Sequence, residues 1–207
     1  GTNDIVQLNL VAGVTVVHAT GNDSIRGLDS TANNNLTISG GSITLNDPET
    51  TSTLLGVLTL SGGTLTSNGT LNATSLNLGG GTLNGSGAVN VSSVLNVNSG
   101  SSTIGGAGIL TTGGVSTVNG TLFLNRNWVS TATLNIADGV GVLSIGAGST
   151  LTNAGTTNIT GTTGGTPIGG AGTFSNAGVF NKNSTAASNV QSLFFNTGTL
   201  NLNASSV

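Results

Sequence analysis

The sequence predicts an all-β fold, a right-handed parallel β-helix (β-solenoid) of about nine coils with roughly 20 residues each. A triplet with one polar residue between two aliphatic ones recurs at about this interval, for example as Leu76-Asn77-Leu78 and Leu134-Asn135-Ile136. A second motif keeps the same period, because Ile104-Gly105-Gly106-Ala107-Gly108 returns as Ile168-Gly169-Gly170-Ala171-Gly172. The 35 glycines and the many Asn, Thr and Ser residues disfavour helices. Parallel crossovers are right-handed in nearly all proteins, which predicts the hand.

Residues 1–35 are predicted to form irregular N-terminal strands or a cap, and residues 36–207 one continuous solenoid array. Apolar residues on both sides of Ala12-Gly13 indicate two strands, and Leu8-Asn9-Leu10 is an early copy of the triplet. The polar stretch that follows breaks the repeat, which is typical of a cap over the open end of an array.

Regular coils begin at Leu36-Thr37-Ile38, and each coil contains two or three short strands joined by glycine-rich corners. Glycine suits these corners because a tight bend often requires a positive φ. Interruptions at residues 47–50, 125–128 and 183–188 are predicted to be loops that extend from corners.

The alternation within each triplet predicts which side chains face outward. The two aliphatic residues share one face of the strand and pack in the core, so the central residue points to solvent. The opposite register would bury an amide in every coil, at a large cost in free energy. Because coils are about 4.8 Å apart, these outward side chains are expected to hydrogen-bond along the stack. The predicted outward row is Thr37, Thr59, Asn77, Asn96, Thr117, Asn135, Asn158, Asn181 and Asn201.

The composition excludes several classes of partner. Charged residues are only 4% of the chain and the net charge is −3, so nucleic acid and anionic membrane surfaces are not expected partners. There is no cysteine, which excludes disulfides and thiolate metal sites. No apolar run is long enough for membrane insertion.

A short acidic stretch gives one weak metal hypothesis. Residues 21–29 look a little like a calcium-binding nonapeptide repeat, with Asp23 and Asp29 as the ligands. The stretch occurs once and lacks a leading glycine pair, so a polar capping loop is the competing interpretation. His18, the one histidine, is interpreted as a strand-end or cap residue. No other cofactor is expected.

The sequence does not predict an enzyme. β-Helices also carry polysaccharide lyases and hydrolases, but these require carboxylates clustered with one another or with basic residues. Asp47 and Glu49 flank a proline in one loop, and Asp138 stands alone in the sequence. Trp128 beside Arg126 could stack against a sugar or anchor a loop in the core.

Two binding alternatives remain open besides the lyase. The Asn and Thr rows could recognise a glycan, or they could bind ice if threonines stand in register on a flat face. Thr64, Thr82, Thr103 and Thr121 approach such a column, although their spacing then loses register.

Several segments resemble a known group of proteins. Gly63-Thr64-Leu65-Thr66-Ser67-Asn68-Gly69-Thr70-Leu71-Asn72 and Gly148-Ser149-Thr150-Leu151-Thr152-Asn153-Ala154-Gly155 are similar to repeats of filamentous-haemagglutinin-like exoproteins and autotransporter passengers. This resemblance implies a β-helix, secretion to the bacterial cell surface, and roles in adhesion, biofilm or stalk formation. The leading hypothesis is therefore a structural or adhesive repeat segment of a surface protein or extracellular filament.

The ends of the chain suggest its partners. Gly1 is not followed by a signal peptide, so any such segment is expected to have been removed. The last coil runs through Leu193-Phe194-Phe195 and stops at Val207 without a capping element. The chain is thus expected to be a fragment of a longer repeat protein or a subunit that stacks end to end, with Ile5-Val6 meeting a neighbour. A host or matrix glycan or protein is the other expected partner.

Overall fold

The computed structural model describes residues 3–11, 13–30, 33–139 and 143–203. Gly1, Ala12 and Val207, which the sequence arguments used, lie outside the described residues. Every regular element in the described part of the chain is a β-strand, and the strands pair in parallel. The predicted all-β solenoid is confirmed, with about nine turns of about 20 residues.

The strands are short and evenly distributed along the chain. In chain order they are β1 (Ile5–Gln7), β2 (Thr15–His18), β3 (Asn22–Ile25), β4 (Gly27–Ser30), β5 (Asn35–Ile38), β6 (Ser42–Leu45), β7 (Ser52–Leu60), β8 (Thr64–Ser67), β9 (Leu71–Leu78), β10 (Thr82–Asn84), β11 (Val89–Val97), β12 (Ser101–Gly105), β13 (Leu110–Thr112), β14 (Val115–Val118), β15 (Thr121–Asn125), β16 (Trp128–Ser130), β17 (Thr133–Ala137), β18 (Leu143–Ile145), β19 (Thr150–Asn153), β20 (Thr156–Thr160), β21 (Gly165–Gly169), β22 (Thr173–Asn176), β23 (Val179–Lys182), β24 (Ser188–Val190), β25 (Leu193–Asn196) and β26 (Thr199–Leu202).

Each coil presents three faces. Face 3 is a nine-stranded sheet that contains β3, β6, β8, β10, β12, β15, β18, β21 and β24. The other strands form one larger sheet, which bends once in every coil into face 1 and face 2. In the third to fifth coils one strand, β7, β9 or β11, crosses this bend and carries a register irregularity there. Face 1 starts with β1 and β4 and continues through β13 to β25, and face 2 starts with β2 and β5 and ends with β26.

Strands within the first 35 residues belong to the same stack as the rest. β1 pairs in parallel with β4, β2 with β5, and β3 with β6. The proposed division at residue 35 therefore does not coincide with a change in pairing. In this first coil the residue that continues the outward column is Val17, because it pairs with Thr37. The corresponding triplet is therefore Val16-Val17-His18. Leu8-Asn9-Leu10 follows β1 instead, because the amide of Leu8 donates to the carbonyl of Asp29 at 2.8 Å.

The interior is a continuous stack of aliphatic side chains. One inward column on face 2 runs Ile38, Leu60, Leu78, Val97, Val118, Ile136 and Ile159, and all seven are buried. Trp128 is fully buried between Leu110 and Leu151 of the adjacent coils. Phe174, Phe180 and Phe194 pack with ring centroids 5.3–5.7 Å apart; the first two are buried and Phe194 is partly buried against them. Burial of this apolar surface is the main source of stability.

A row of asparagines is buried, although the sequence analysis expected asparagines to face outward. Asn153, Asn176 and Asn196 stand in register on the inward side of face 1, and the first two are fully buried. The amide of Asn153 donates to Asn176 at 2.6 Å, and that of Asn176 donates to Asn196 at 2.6 Å. Each also donates to a backbone carbonyl in the next coil, that of Val179 or Thr199. The NH₂ groups of Asn153 and Asn176 find acceptors in the next coil, which offsets part of the expected burial cost. Asn153 Oδ1 is buried without a partner among the described residues.

Glycine is required where a corner lies against the preceding coil. Gly106 and Gly170, in the repeated motif, have φ values of 97–99°, and a Cβ there would meet the backbone of Gly85 or Ile145. A bulkier residue would therefore be both strained and sterically blocked. The predicted reason for glycine at these two corners is confirmed.

A pair of glycine substitutions tests whether the corners require glycine because the preceding coil lies so close. We expect Gly87→Ala to lower the free energy of unfolding by about 2–3 kcal/mol, because its Cβ would overlap the carbonyl group of Gly69. Gly79→Ala is the matched control, since the nearest atom lies 3.8 Å from its added Cβ, and we expect less than about 1 kcal/mol. Urea unfolding of both variants measures the difference. Equal losses would contradict the packing of the corners.

Candidate functional site

The predicted outward row forms a single column on face 2. Pairing places Thr37 opposite Thr59 and continues in register to Asn201, with each residue flanked by inward side chains. Side-chain amides bond along the column from Asn96 to Asn77 at 3.2 Å and from Asn158 to Asn135 at 3.0 Å. Further bonds run from Asn181 to Asn158 and from Asn201 to Asn181, at 2.9 and 2.8 Å. The amides of the column thus serve mainly to join the coils.

A shallow groove follows the bend between face 1 and face 2. It has a volume of about 210 Å³ and is lined by Thr53, Asn72, Thr74, Asn90 and Ser92, together with Leu55 and its neighbours. Asn90 donates to Asn72 at 2.8 Å, and Leu55 is 41% exposed. The groove therefore offers neutral hydrogen-bonding groups beside an exposed aliphatic side chain. That combination suits a polar, uncharged ligand with apolar edges.

Face 3 carries the threonine column of the ice-binding alternative. Thr64, Thr82 and Thr103 stand in register, as the spacing suggested. Thr121 does not join them, because Thr103 pairs with Phe123 and Thr121 pairs with Ser101. Phe123 is 42% exposed and interrupts the column of hydroxyl groups with an aromatic ring before Ser144.

His18 and Asp23 occupy inward positions in the first coil. His18 stands in the column of Ile38, and Asp23 stands opposite Ile43. The imidazole Nδ1 lies 3.0 Å from the carbonyl oxygen of Gly40, and Nε2 lies 2.9 Å from Asp23 Oδ2. Both residues border a cavity of about 370 Å³ at this end of the core. The pair places a polar contact over the apolar interior, in agreement with the cap interpretation of His18.

The two proposed calcium ligands are on different faces. Asp23 lies on face 3 in β3, and Asp29 lies on face 1 in β4, with the corner at Arg26 between them. One carboxylate oxygen of Asp23 is already hydrogen-bonded to His18. The described residues contain no group of three or more His, Cys, Asp or Glu side chains placed to hold a metal. The calcium hypothesis stays a prediction, which a calcium titration of the melting temperature checks.

Trp128 and Arg126 do not form a platform for a sugar. Both side chains are buried, and the indole Nε1 of Trp128 donates to Thr112 Oγ1 at 3.0 Å. The loop-anchor interpretation of Trp128 is therefore the correct one, because a fully buried ring has no face for a ligand. Arg126 turns back along the stack and donates to backbone carbonyls two coils earlier.

Asp138 has partners that the sequence did not indicate. It is buried, and its Oδ2 accepts hydrogen bonds from the hydroxyls of Ser184 and Ser188, two coils later. Lys182 occupies the inward column after Ile159 and donates to the carbonyls of Ser184 and Ala186 at 2.7 and 2.8 Å. These bonds fix the loop at residues 183–188 against the corner that contains Asp138, so the cluster has a structural role.

The loop at residues 47–50 contains a partly exposed ion pair. Arg26 Nε lies 2.8 Å from Asp47 Oδ2. The hydroxyl of Thr50, the amide of Glu49 and then Arg26 hold the pKa of Asp47 below its ordinary value. A depressed pKa stabilises the fold above the unfolded-state pKa, and this contribution is lost as the pH falls through the folded-state pKa.

The melting temperature is expected to change little with pH. Because the chain has few charged residues, we expect a flat profile from about pH 5 to pH 9 and a fall only below about pH 4, where Asp47 becomes protonated. Thermal unfolding followed by circular dichroism across this range is the measurement. A steep fall between pH 7 and pH 5 would reveal an ionic network that this account lacks.

The described residues contain no helix long and apolar enough to cross a membrane. Comparison with protein-family models, with curated proteins and with solved structures gives no match for the chain. The family resemblance seen in the sequence therefore remains a prediction.

Proposed function

We propose that this chain is a structural and adhesive repeat segment of a secreted bacterial surface protein or extracellular filament. The observation that carries the proposal is the unbroken outward column from Thr37 to Asn201, in which coil after coil stands in register. The column and the aliphatic stack inside it hold the coils together along one axis. Such a rod separates its two ends by a fixed distance, which is what a stalk or spacer requires.

The surface chemistry supports this role. With 4% charged residues, the fold depends little on ion pairs that salt would screen. Its stability derives instead from ladder hydrogen bonds and buried aliphatic side chains, which persist outside the cell. The proposal assigns no catalytic step to the chain.

Surface display tests the proposal directly. The chain is fused to an outer-membrane anchor on a non-adherent bacterium, and attachment to protein- and glycan-coated surfaces is counted at equal surface amounts. We expect a several-fold increase over the anchor alone, and little increase with a Trp128→Ala chain that is destabilised in its core. No increase, or the release of products from acidic polysaccharides by the purified chain, would contradict a structural and adhesive role.

Self-association is the proposed partnership within that role. The last two strands expose Leu193, Phe195 and Leu202 to 70%, 59% and 70%. Exposed apolar side chains on the last strands that the structure describes favour contact with another coil, in the same longer protein or in a second copy. We expect sedimentation velocity to show concentration-dependent association that Phe195→Ser weakens and that Leu55→Ser, on the bend, does not. A monomer at all concentrations would contradict this partnership alone.

Binding of a neutral glycan is the second candidate function. The groove at the bend carries it, because Asn72, Asn90, Thr53 and Leu55 provide amides, a hydroxyl and an apolar edge without charge. Calorimetric titration with neutral oligosaccharides should show binding that Asn90→Ala reduces about tenfold and that Asn158→Ala on face 2 leaves unchanged. Equal binding by both variants would remove the groove as the site.

A further inference from the structure

Arg126 is buried without a counter-charge. Its side chain is 3% exposed and lies at the corner between β15 and β16. The two Nη2 hydrogens are used by backbone acceptors, since Nη2 donates to the carbonyls of Gly85 and Gly87 at 3.1 and 3.0 Å. A Cβ at position 108 would meet the carbonyl group of Gly87 first and Nη2 of Arg126 next, at 2.7 Å. The guanidinium therefore lies close against this glycine corner.

The remaining hydrogen-bond donors of Arg126 are unsatisfied. Nε and Nη1 are buried and have no partner among the described residues. The ion pairs of the described residues, His18 with Asp23 and Arg26 with Asp47, do not include it. Burial lowers the pKa of Arg126, yet an arginine remains charged at neutral pH. A buried charge without a partner destabilises a fold, so an anion that reached this corner would be strongly favoured.

A polar cleft lies at the corner that contains Arg126. Arg126 forms part of its wall, the cleft volume is about 280 Å³, and the other lining residues include Gly106, Ala107, Asn125, Asn127 and Ser149. Asn127 Oδ1 accepts the amide of Thr150 at 2.9 Å, which leaves the NH₂ group of Asn127 as a donor. The cleft thus combines neutral amides at its rim with a positive charge behind them.

We propose that this corner is an anion-binding site that takes a small monovalent carboxylate. The ligand would contact the amides of Asn125 and Asn127 and would be attracted by the covered charge of Arg126 across a short distance of low polarity. One positive charge matches a single carboxylate group, and the cleft volume leaves room for the rest of the molecule that carries it. That group has two sources, a free carboxylic acid or a uronic acid residue of an acidic glycan.

The two arginines of the chain provide a test with an internal control. The Nε–H signals of Arg126 and Arg26 in ¹H–¹⁵N spectra are followed during titration with acetate, glucuronate and uncharged glucose. We expect a saturable shift at Arg126 with both carboxylates, no shift with glucose and only a weak, linear change at exposed Arg26. Tighter binding of glucuronate than of acetate would identify the glycan as the source, and equal binding the free acid. The absence of a saturable shift at Arg126 would overturn the proposal.

A variant that keeps the arginine gives a second test. Ala107 is an exposed wall residue, so Ala107→Asp would place a carboxylate at the rim, whereas Ala107→Asn adds the same volume without charge. We expect Ala107→Asp to weaken acetate binding at least tenfold and to raise the melting temperature relative to Ala107→Asn. Equal acetate affinity in the two variants would show an adventitious ion only and would also overturn the proposal. Loss of this site would leave adhesion to protein-coated surfaces and self-association unchanged, so the two sets of results are distinguishable.

Discussion

Replacing Trp128 with alanine is expected to lower the free energy of unfolding by about 4 kcal/mol. The indole is fully buried between Leu110 and Leu151 of the neighbouring coils, so its removal leaves a cavity that the stack cannot close. The hydroxyl of Thr112 also loses the hydrogen bond from Nε1. Denaturant unfolding of the purified variant measures this loss.

Phe123→Ala is the matched control for the tryptophan. Phe123 is also aromatic and lies on a neighbouring strand, but it points outward and is 42% exposed. We expect it to cost less than about 1 kcal/mol, as outward substitutions usually do. Similar losses for the two variants would mean that Trp128 is not in the core, and the sugar-platform interpretation would regain support.

Asn176→Ala is expected to lower the free energy of unfolding by about 3 kcal/mol. Asn176 accepts a hydrogen bond from Asn153, and it donates to Asn196 and to the carbonyl of Thr199. Its removal leaves the NH₂ group of the fully buried Asn153 without its side-chain acceptor and a polar-lined gap in the interior. Asn196 and Thr199, which also lose a donor, are exposed to water. Urea unfolding at one pH gives the value.

Asn158→Ala provides the comparison for the interior ladder. Asn158 also has a bonded asparagine on each side, but its column faces outward, where water replaces lost hydrogen bonds. We expect it to cost about 1 kcal/mol or less. If Asn158→Ala were the more destabilising variant, the assignment of inward and outward columns would be reversed.

The outward row was predictable because it depends on local alternation. In Leu76-Asn77-Leu78 the period of two fixes the direction of each side chain, whatever the length of the coil. The glycine corners were predictable for a similar reason, since the conformation of Gly106 or Gly170 is a local property. Local patterns thus determined the fold and the direction of the ladder.

Contacts between coils were less predictable because coil lengths vary. Arg126 bonds to carbonyls 39 and 41 residues earlier, and Asp138 to hydroxyls 46 and 50 residues later. Those partners depend on the sum of two coil lengths, including corners and bulges. The same uncertainty misplaced Thr121, which stands two positions from the column that Phe123 occupies.

The buried asparagines were missed although a signal was present. Asn153-Ala154-Gly155, Asn176-Ala177-Gly178 and Asn196-Thr197-Gly198 share the pattern Asn-x-Gly at the bend between face 1 and face 2. At a bend the backbone carbonyls turn away from the regular ladder and need donors, which an inward asparagine supplies. The general cost for buried amides is smaller where backbone carbonyls of the next coil accept from them.

Distances between spin labels test the central claim, that the coils form one continuous stack in register. The chain has no cysteine, so Thr37→Cys can be paired in turn with Asn135→Cys, Asn158→Cys and Asn201→Cys. These positions are five, six and eight coil steps along one column. With about 4.8 Å per coil, we expect pulsed electron paramagnetic resonance to give distances of roughly 24, 29 and 38 Å, which increase linearly with the number of coil steps. Distances that do not increase with the number of coils, or broad distributions at the last pair, would contradict the stack.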